Sequence, residues 1–223
     1  MNVLIVFAHP ERKSFNGALF DTAVDTLQAA GHTVVTSDLY AMHFDPSSSR
    51  ANFTACKDPD YFKPQVEELH ATGTGGFSPE LEAEIRKLEA ADLVIFQFPL
   101  WWFGLPAILK GWVDRVFAMG RAYGGGRVYE SGVFRGKRAL LSLTTGGPEA
   151  AYMPGGFNGD LRGILRPIHR GVFEFCGFSV LAPAVFYGPV RAEEAERAKW
   201  LAAWAARLRQ IEQESPIEVG HYA

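Results

Sequence analysis

Residues 94–116 read VIFQFPLWWFGLPAILKGWVDRV, and their order decides the fold. Val94–Phe98 is a largely apolar run of strand length, the pattern of a parallel strand covered on both faces. Pro99 has no N–H to give a sheet ladder and marks where the strand stops. Trp101, Trp102 and Phe103 follow, and Gly104 and Pro106 turn the chain into an amphipathic helix. The aromatic loop therefore lies beyond the carboxyl end of a central strand, where open α/β sheets bind their ligands. Three adjacent large aromatics there suit a flat ligand, with plain packing or a subunit contact as the alternative.

Outward from this unit, strand and helix patterns alternate. Val3–Ala8 reads as the first strand, His32–Ser37 as the second, Asp92–Phe98 as the third, Lys137–Leu143 as the fourth and Phe178–Phe186 as the fifth. Helical spacing is predicted over Ser14–Ala30, Pro79–Ala91, Pro106–Met119, Leu161–Phe175 and Ala192–Gln213. Residues 41–78 read as irregular, and 123–135 as a glycine-rich excursion. Five β-then-α units predict an α/β fold of one domain, a five-stranded parallel sheet with helices on both faces.

Bulk properties narrow the class. The 223 residues are 48% hydrophobic with a net charge of −3, which suits one well-buried α/β domain. No basic stripe points to nucleic acid, and no stretch is long and apolar enough for membrane insertion. The apolar opening Asn2–Ala8 lacks a signal peptide's basic flank. The two cysteines, Cys56 and Cys176, are too few for a disulfide framework and fit a reducing, cytoplasmic setting.

Three loops at the carboxyl ends of strands carry the chemistry. After strand one, HPERKSFNG (residues 9–17) has neither the dinucleotide glycine fingerprint nor a Walker motif. It offers His9, Ser14 and Asn16 beside Arg12 and Lys13 at a helix N-terminus, a seat for phosphate, although Ser14 alone reads as an ordinary N-cap. After strand four, Thr144-Thr145-Gly146-Gly147 supplies hydroxyls and amides that a ligand edge can approach closely. A phosphate seat, an aromatic wall and an amide cradle on neighbouring loops together describe a flavin site.

The stretches DLVIFQFPLWWFGLPAILKGWVDRVF, HPERKSFNG, SDLYAM, LLSLTTGG and FCGFSVLAP resemble the NAD(P)H:quinone oxidoreductase (DT-diaphorase) family nearly end to end. The resemblance implies a flavodoxin-like fold with strand order 2-1-3-4-5, bound FAD (FMN being the alternative), a homodimer, and ping-pong two-electron reduction of planar quinones by a reduced nicotinamide through flavin N5. By the same resemblance His9, Phe15 and Asn16 hold the pyrophosphate region. Pro99, Leu100, Trp101, Trp102 and Phe103 wall the isoalloxazine, Thr144, Thr145, Gly146 and Gly147 bond its edge, and Arg197 reaches the adenine side. Asp114 and Lys63 are expected near the cofactor, Asp114 reaching that of the other subunit. Tyr152, with Gly146 and Gly147, is the expected stabiliser of charge on the reduced flavin. Tyr123 and Phe175, from the partner, are expected to roof a substrate slot with Trp102, Phe103 and Asn158. Two other readings stay open: a regulatory flavoprotein subunit of a potassium-efflux system, and an FMN azoreductase- or nitroreductase-like enzyme.

The chain departs from the pattern in several places. Asn158 stands where well-known members have a proton-donating histidine, and an amide cannot take up a proton at neutral pH. Gly125 replaces a slot tyrosine, and Lys63 a glutamine. Arg170 and Glu174 occupy the positions of two metal-binding histidines in one short branch, so no metal is expected. His169 beside them is expected to be capped or solvated, and Cys176 buried. The chain ends, at 217–223, about where that short branch does, which predicts weak use of NADH and NADPH relative to small dihydronicotinamides.

Overall fold

In the computed structural model, which describes residues 1–220, the sheet begins with β1 (Asn2–Phe7). Its side chains alternate between two cores: Leu4 and Val6 pack on one face, and Val3, Ile5 and Phe7 on the other. β1 pairs in parallel with β2 (Thr33–Asp38) and with β3 (Leu93–Pro99), the apolar run of the aromatic unit. β3 pairs with β4 (Arg138–Thr145), its last residue Pro99 lying opposite Thr144. Pro99 thus closes the strand from within it, and the ladder continues one bond further where the Leu100 N–H donates to Thr144 O at 2.8 Å.

The predicted fifth strand is two. β5 (Ser179–Val180) pairs with Arg138–Ala139, and β6 (Ala184–Tyr187) pairs with Ser142–Thr145, so the sheet has six strands. The break falls at Leu181–Pro183, since Pro183 cannot donate to a ladder. The order β2-β1-β3-β4 followed by the β5/β6 edge is otherwise as expected.

One face is covered by α1 (Phe15–Ala29) and α6 (Glu194–Leu208), whose Leu19, Phe20, Leu27, Trp204 and Leu208 fill the smaller core. Trp204 Nε1 donates to Leu19 O at 3.1 Å and locks the two helices together. The other face carries α3 (Pro79–Ala90), α4 (Ala107–Val116) and α5 (Leu161–Ile168). The segment read as irregular, 41–78, contains a helix, α2 (Pro64–Thr74). Its polar sequence and internal Gly73 hide the helical pattern, and only Glu67, Glu68 and Ala71 are buried. The helix predicted over Leu161–Phe175 is also divided: α5 ends at Ile168 and the chain runs on as π-helix over His169–Phe173. Pro167, inside α5, removes a backbone donor and crowds the preceding turn, which accounts for the wider winding.

Between the α3–α4 layer and the sheet lies a buried polar knot. Glu84 accepts from Ser37 Oγ at 2.6 Å and Trp112 Nε1 at 2.8 Å, and pairs with Lys87 at 2.6 Å.

Candidate functional site

The loops after β1, β3 and β4 meet at one cleft of about 590 Å³ at the carboxyl edge of the sheet. His9, Ser14, Phe15 and Asn16 line it from the first loop, Pro99, Leu100 and Trp101 from the second, and Thr144, Thr145 and Gly146 from the third. A fourth contribution, Pro189 and Val190 after β6 together with Arg197 on α6, closes the far side.

The first loop is tightly wound. The Ser14 hydroxyl accepts from Gly17 N at 3.2 Å, an N-cap that leaves the first amides of α1 directed at the cleft. Gly17 is required by close approach: a Cβ there would stand 1.9 Å from Arg12 O. His9 Nδ1 lies 3.0 Å from both the N–H and the carbonyl oxygen of Glu11, which anchors the ring on the loop. Arg12 does not face the cleft. Its guanidinium lies 4.5 Å from the Phe20 ring centroid, donates to Gly17 O and pairs with Asp21, so it braces the loop from behind.

Beneath the cleft floor, Gln97 Nε2 donates to Asn16 Oδ1 at 2.9 Å and Asn16 Nδ2 donates to Thr144 Oγ1 at 2.8 Å. All three residues are buried, and their chain ties β3, α1 and β4 into one rigid platform. Gln97 was not foreseen, because one amide inside an apolar run reads as an interruption. Arg191 was also missed; its guanidinium donates to Gly146 O and fixes the third loop. Arg197 donates to Pro189 O at 3.3 Å and to Ala192 O, holding the fourth loop in place.

The aromatic loop leaves its rings uncovered. Trp102 is 100% exposed, Trp101 42% and Phe103 49%, and both Trp102 (φ 51°) and Phe103 (φ 57°) sit in the left-handed region that bulky side chains avoid. Solvated aromatics on strained backbone are the mark of a surface built for something other than the protein's own core. Beside them Tyr152 is buried, edge-on to Phe103 at 6.5 Å between centroids. A Cβ on Gly147 would lie 3.3 Å from the Tyr152 ring and 3.6 Å from Asn158 Nδ2, so these three residues converge.

Tyr123 and Phe175 are elsewhere. Their rings lie 5.6 Å apart, tilted at 59°, in a second concavity with Glu68, Lys110 and Asp114, which shares no lining residue with the cleft. Gln65 Nε2 donates to the Tyr123 hydroxyl at 3.0 Å, and burial raises the pKa of Tyr123 and of Glu68. Asp114 pairs with Lys110 at 2.6 Å, and Lys63 stands at the start of α2 with its ammonium over Tyr61.

Arg170 and Glu174 form an ion pair at 2.9 Å, and no cluster of three or more His, Cys, Asp or Glu suited to a metal occurs among the described residues. His169 is neither capped nor solvated. It is buried, Nε2 lacks a hydrogen-bond partner among the described residues, and desolvation lowers its pKa to about 4. Cys176 is buried as expected, its thiol pushed up to about 12 by the same effect.

A parallel sheet with its cleft at the carboxyl edge and strand order 2-1-3-4 defines the flavodoxin-like class. Residues 1–208 match the Flavodoxin-like fold family. The chain is 49% identical over 216 residues to ribosyldihydronicotinamide dehydrogenase [quinone] of Mus musculus, covering 96% of this chain and 94% of that protein. It is 48% identical over 215 residues to NAD(P)H dehydrogenase [quinone] 1 of Cavia porcellus, covering 96% and 78% respectively. The structure of a candidate quinone reductase from Klebsiella pneumoniae superposes with a TM-score of 0.94 at 44% identity, covering 97% of this chain and 87% of the other. The chain therefore belongs to the NAD(P)H:quinone oxidoreductase family.

Proposed function

We propose that this protein is a flavin-dependent oxidoreductase that reduces quinones by two electrons at the expense of a reduced nicotinamide. The observation that carries the reading is the assembly, in one cleft, of a capped helix N-terminus, the Pro99–Trp101 start of the aromatic loop and the Thr144-Thr145-Gly146 turn. These residues fit a flavin. The α1 amides and His9 suit its phosphates, the exposed aromatic rings its tricycle, and the amides of Gly146 and Gly147 its hydrogen-bonding edge. A bound flavin supplies a two-electron carrier that accepts hydride from one substrate and passes it to the next.

The chain's own residues prepare the site. The Gln97–Asn16–Thr144 bonds hold two loops in fixed register, so donors meet the ligand without reorganising. The Tyr152 hydroxyl and the Gly147 amide would supply donors to negative charge on a reduced ring edge, and Asn158 would add a hydrogen bond without a proton. FAD is favoured over FMN because Arg197, Pro189 and Val190 add a wall to the cleft beyond the three loops that suit the flavin mononucleotide part. A homodimer is favoured because Tyr123, Phe175 and Asp114 line a different concavity, so a second copy would have to bring them to the cleft.

Anaerobic stopped-flow bleaching of the holoprotein's flavin by NADPH, NADH and N-ribosyl dihydronicotinamide, followed by menadione, tests the proposal. Fast reduction by any of the three with fast reoxidation by menadione is expected. Reduction without quinone-dependent reoxidation would overturn it.

A further inference from the structure

The turn after β6 reads Gly188-Pro189-Val190-Arg191. Gly188 takes a left-handed φ of 61°, and the Arg191 N–H donates to Gly188 O at 2.9 Å, so the chain folds back on itself there. The bend brings the Arg191 side chain to the end of β4, where its guanidinium donates to Gly146 O. A Cβ on Gly188 would stand 3.5 Å from Gly147 O and 3.6 Å from Arg191 Nη1, so the two turns pack directly against each other.

Every carbonyl from Thr145 to Gly147 is engaged. Thr145 O accepts from Gly188 N at 3.0 Å, Gly146 O from Arg191, and Gly147 O from Thr145 Oγ1 at 2.8 Å. The glycine amides are not: neither the Gly146 nor the Gly147 N–H has an acceptor among the described residues. In a trans peptide the N–H points opposite to the C=O. A donor seated on the oxygen of one peptide unit therefore stands behind the N–H of the next residue. Gly146 lines the cleft and Arg191 does not, which puts the cation at the back of the turn. Arg191 forms no ion pair among the described residues, so no carboxylate cancels its charge.

We propose that Arg191 is a positioning residue that makes the third loop a stronger donor to negative charge, and so favours the reduced form of a flavin in the cleft over its oxidised form. The inference rests on the flavin reading of the cleft given above. Arg191 acts through the Gly146–Gly147 peptide and not by touching the ligand. A charged donor on the Gly146 oxygen draws electron density out of that peptide and strengthens its N–H, which belongs to Gly147. Arginine stays protonated in proteins, so this polarisation is permanent. An oxidised ring edge is neutral and gains little from it, whereas two-electron reduction leaves negative charge there, which the polarised amide stabilises. The other arginines near the site have different tasks. Arg12 pairs with Asp21 behind the first loop, and Arg197 holds Pro189 O and Ala192 O. Arg191 is exposed, and solvent screening keeps the effect to about tenfold in the preference for reduced over oxidised flavin, or about 30 mV for a two-electron couple.

The test needs no turnover. Affinity for oxidised flavin is read by fluorescence quenching, and the two-electron potential of the bound flavin by anaerobic reductive titration against a reference dye. Both are measured in the unaltered holoprotein, Arg191→Gln and Arg191→Lys. Glutamine can still donate to Gly146 O but carries no charge, so Arg191→Gln should lower the potential by about 30 mV with little change in affinity for the oxidised flavin. Arg191→Lys keeps the charge and should restore most of the difference. An unchanged potential in Arg191→Gln, equal falls in the two variants, or loss of the flavin from Arg191→Gln would overturn the proposal, since the side chain would then only brace the turn. An unaltered protein that takes up no flavin would overturn the reading of the cleft itself, and the binding step reveals that before any potential is measured.

Discussion

Gln97 donates to Asn16 Oδ1 at 2.9 Å across 81 residues of sequence, and through Asn16 reaches Thr144 Oγ1. Two neighbouring strands are thereby joined to the helix that caps the cleft. Replacing Gln97 with Leu removes the only side-chain donor to Asn16 Oδ1 among the described residues. We expect the fold to survive and flavin affinity to fall about tenfold, the loss of roughly one hydrogen bond's free energy. Quenching of free-flavin fluorescence on binding reads this out.

Trp102 invites the opposite comparison, since its side chain is fully exposed and its backbone is left-handed. Trp102→Gly should stabilise the ligand-free protein by about 1 kcal/mol, because glycine adopts this conformation without strain. The same substitution removes part of the aromatic wall and should weaken flavin retention. Urea midpoints and flavin titration would move in opposite directions.

The buried Glu84 knot makes a strictly structural prediction. Glu84→Leu strands Trp112 Nε1 and takes one partner each from the Ser37 hydroxyl and the Lys87 ammonium, which keep each other and Thr36 O, and should destabilise the protein by about 2 kcal/mol. Chemical denaturation measures it, and the site should remain intact at low temperature.

His169 supplies a pH dependence. Its folded-state pKa of about 4 lies below the ordinary 6.5, so between these values the unfolded chain binds the extra proton. Stability is therefore full above about 6.5 and is lost as pH falls toward 4, by about 3 kcal/mol from this residue alone. Subtracting the stability curve of His169→Phe from that of the unaltered protein isolates the contribution. A difference that does not change with pH would sink it.

Much of this was legible in the chain because central parallel strands are apolar throughout. Val3–Ala8, Val94–Phe98 and Leu140–Leu143 admit hardly any other reading, and the loops that follow them fall together by topology alone. What was hidden depends on single residues acting against a local pattern. Pro183 divides an apolar run that looks continuous, and Pro167 turns the second half of a regular-looking helix into π-winding. Gln97 looks like a flaw in a strand until Asn16 and Thr144 are seen beside it. The helix Pro64–Thr74 was missed because its buried face consists mainly of two glutamates. Glu67 accepts from Lys57 N and Asp58 N, and Glu68 from Met119 N, so polar groups there serve where apolar ones would be sought.

The division of the last strand also bears on assembly. An uninterrupted edge beside β4 would present a row of free amides and carbonyls, a template for a foreign strand. Here two residues and then four are separated by a gap at Leu181–Pro183, and the template has no length. Growth of the sheet from that side is blocked. Self-association there must proceed through side chains, which can be selective about the partner they accept.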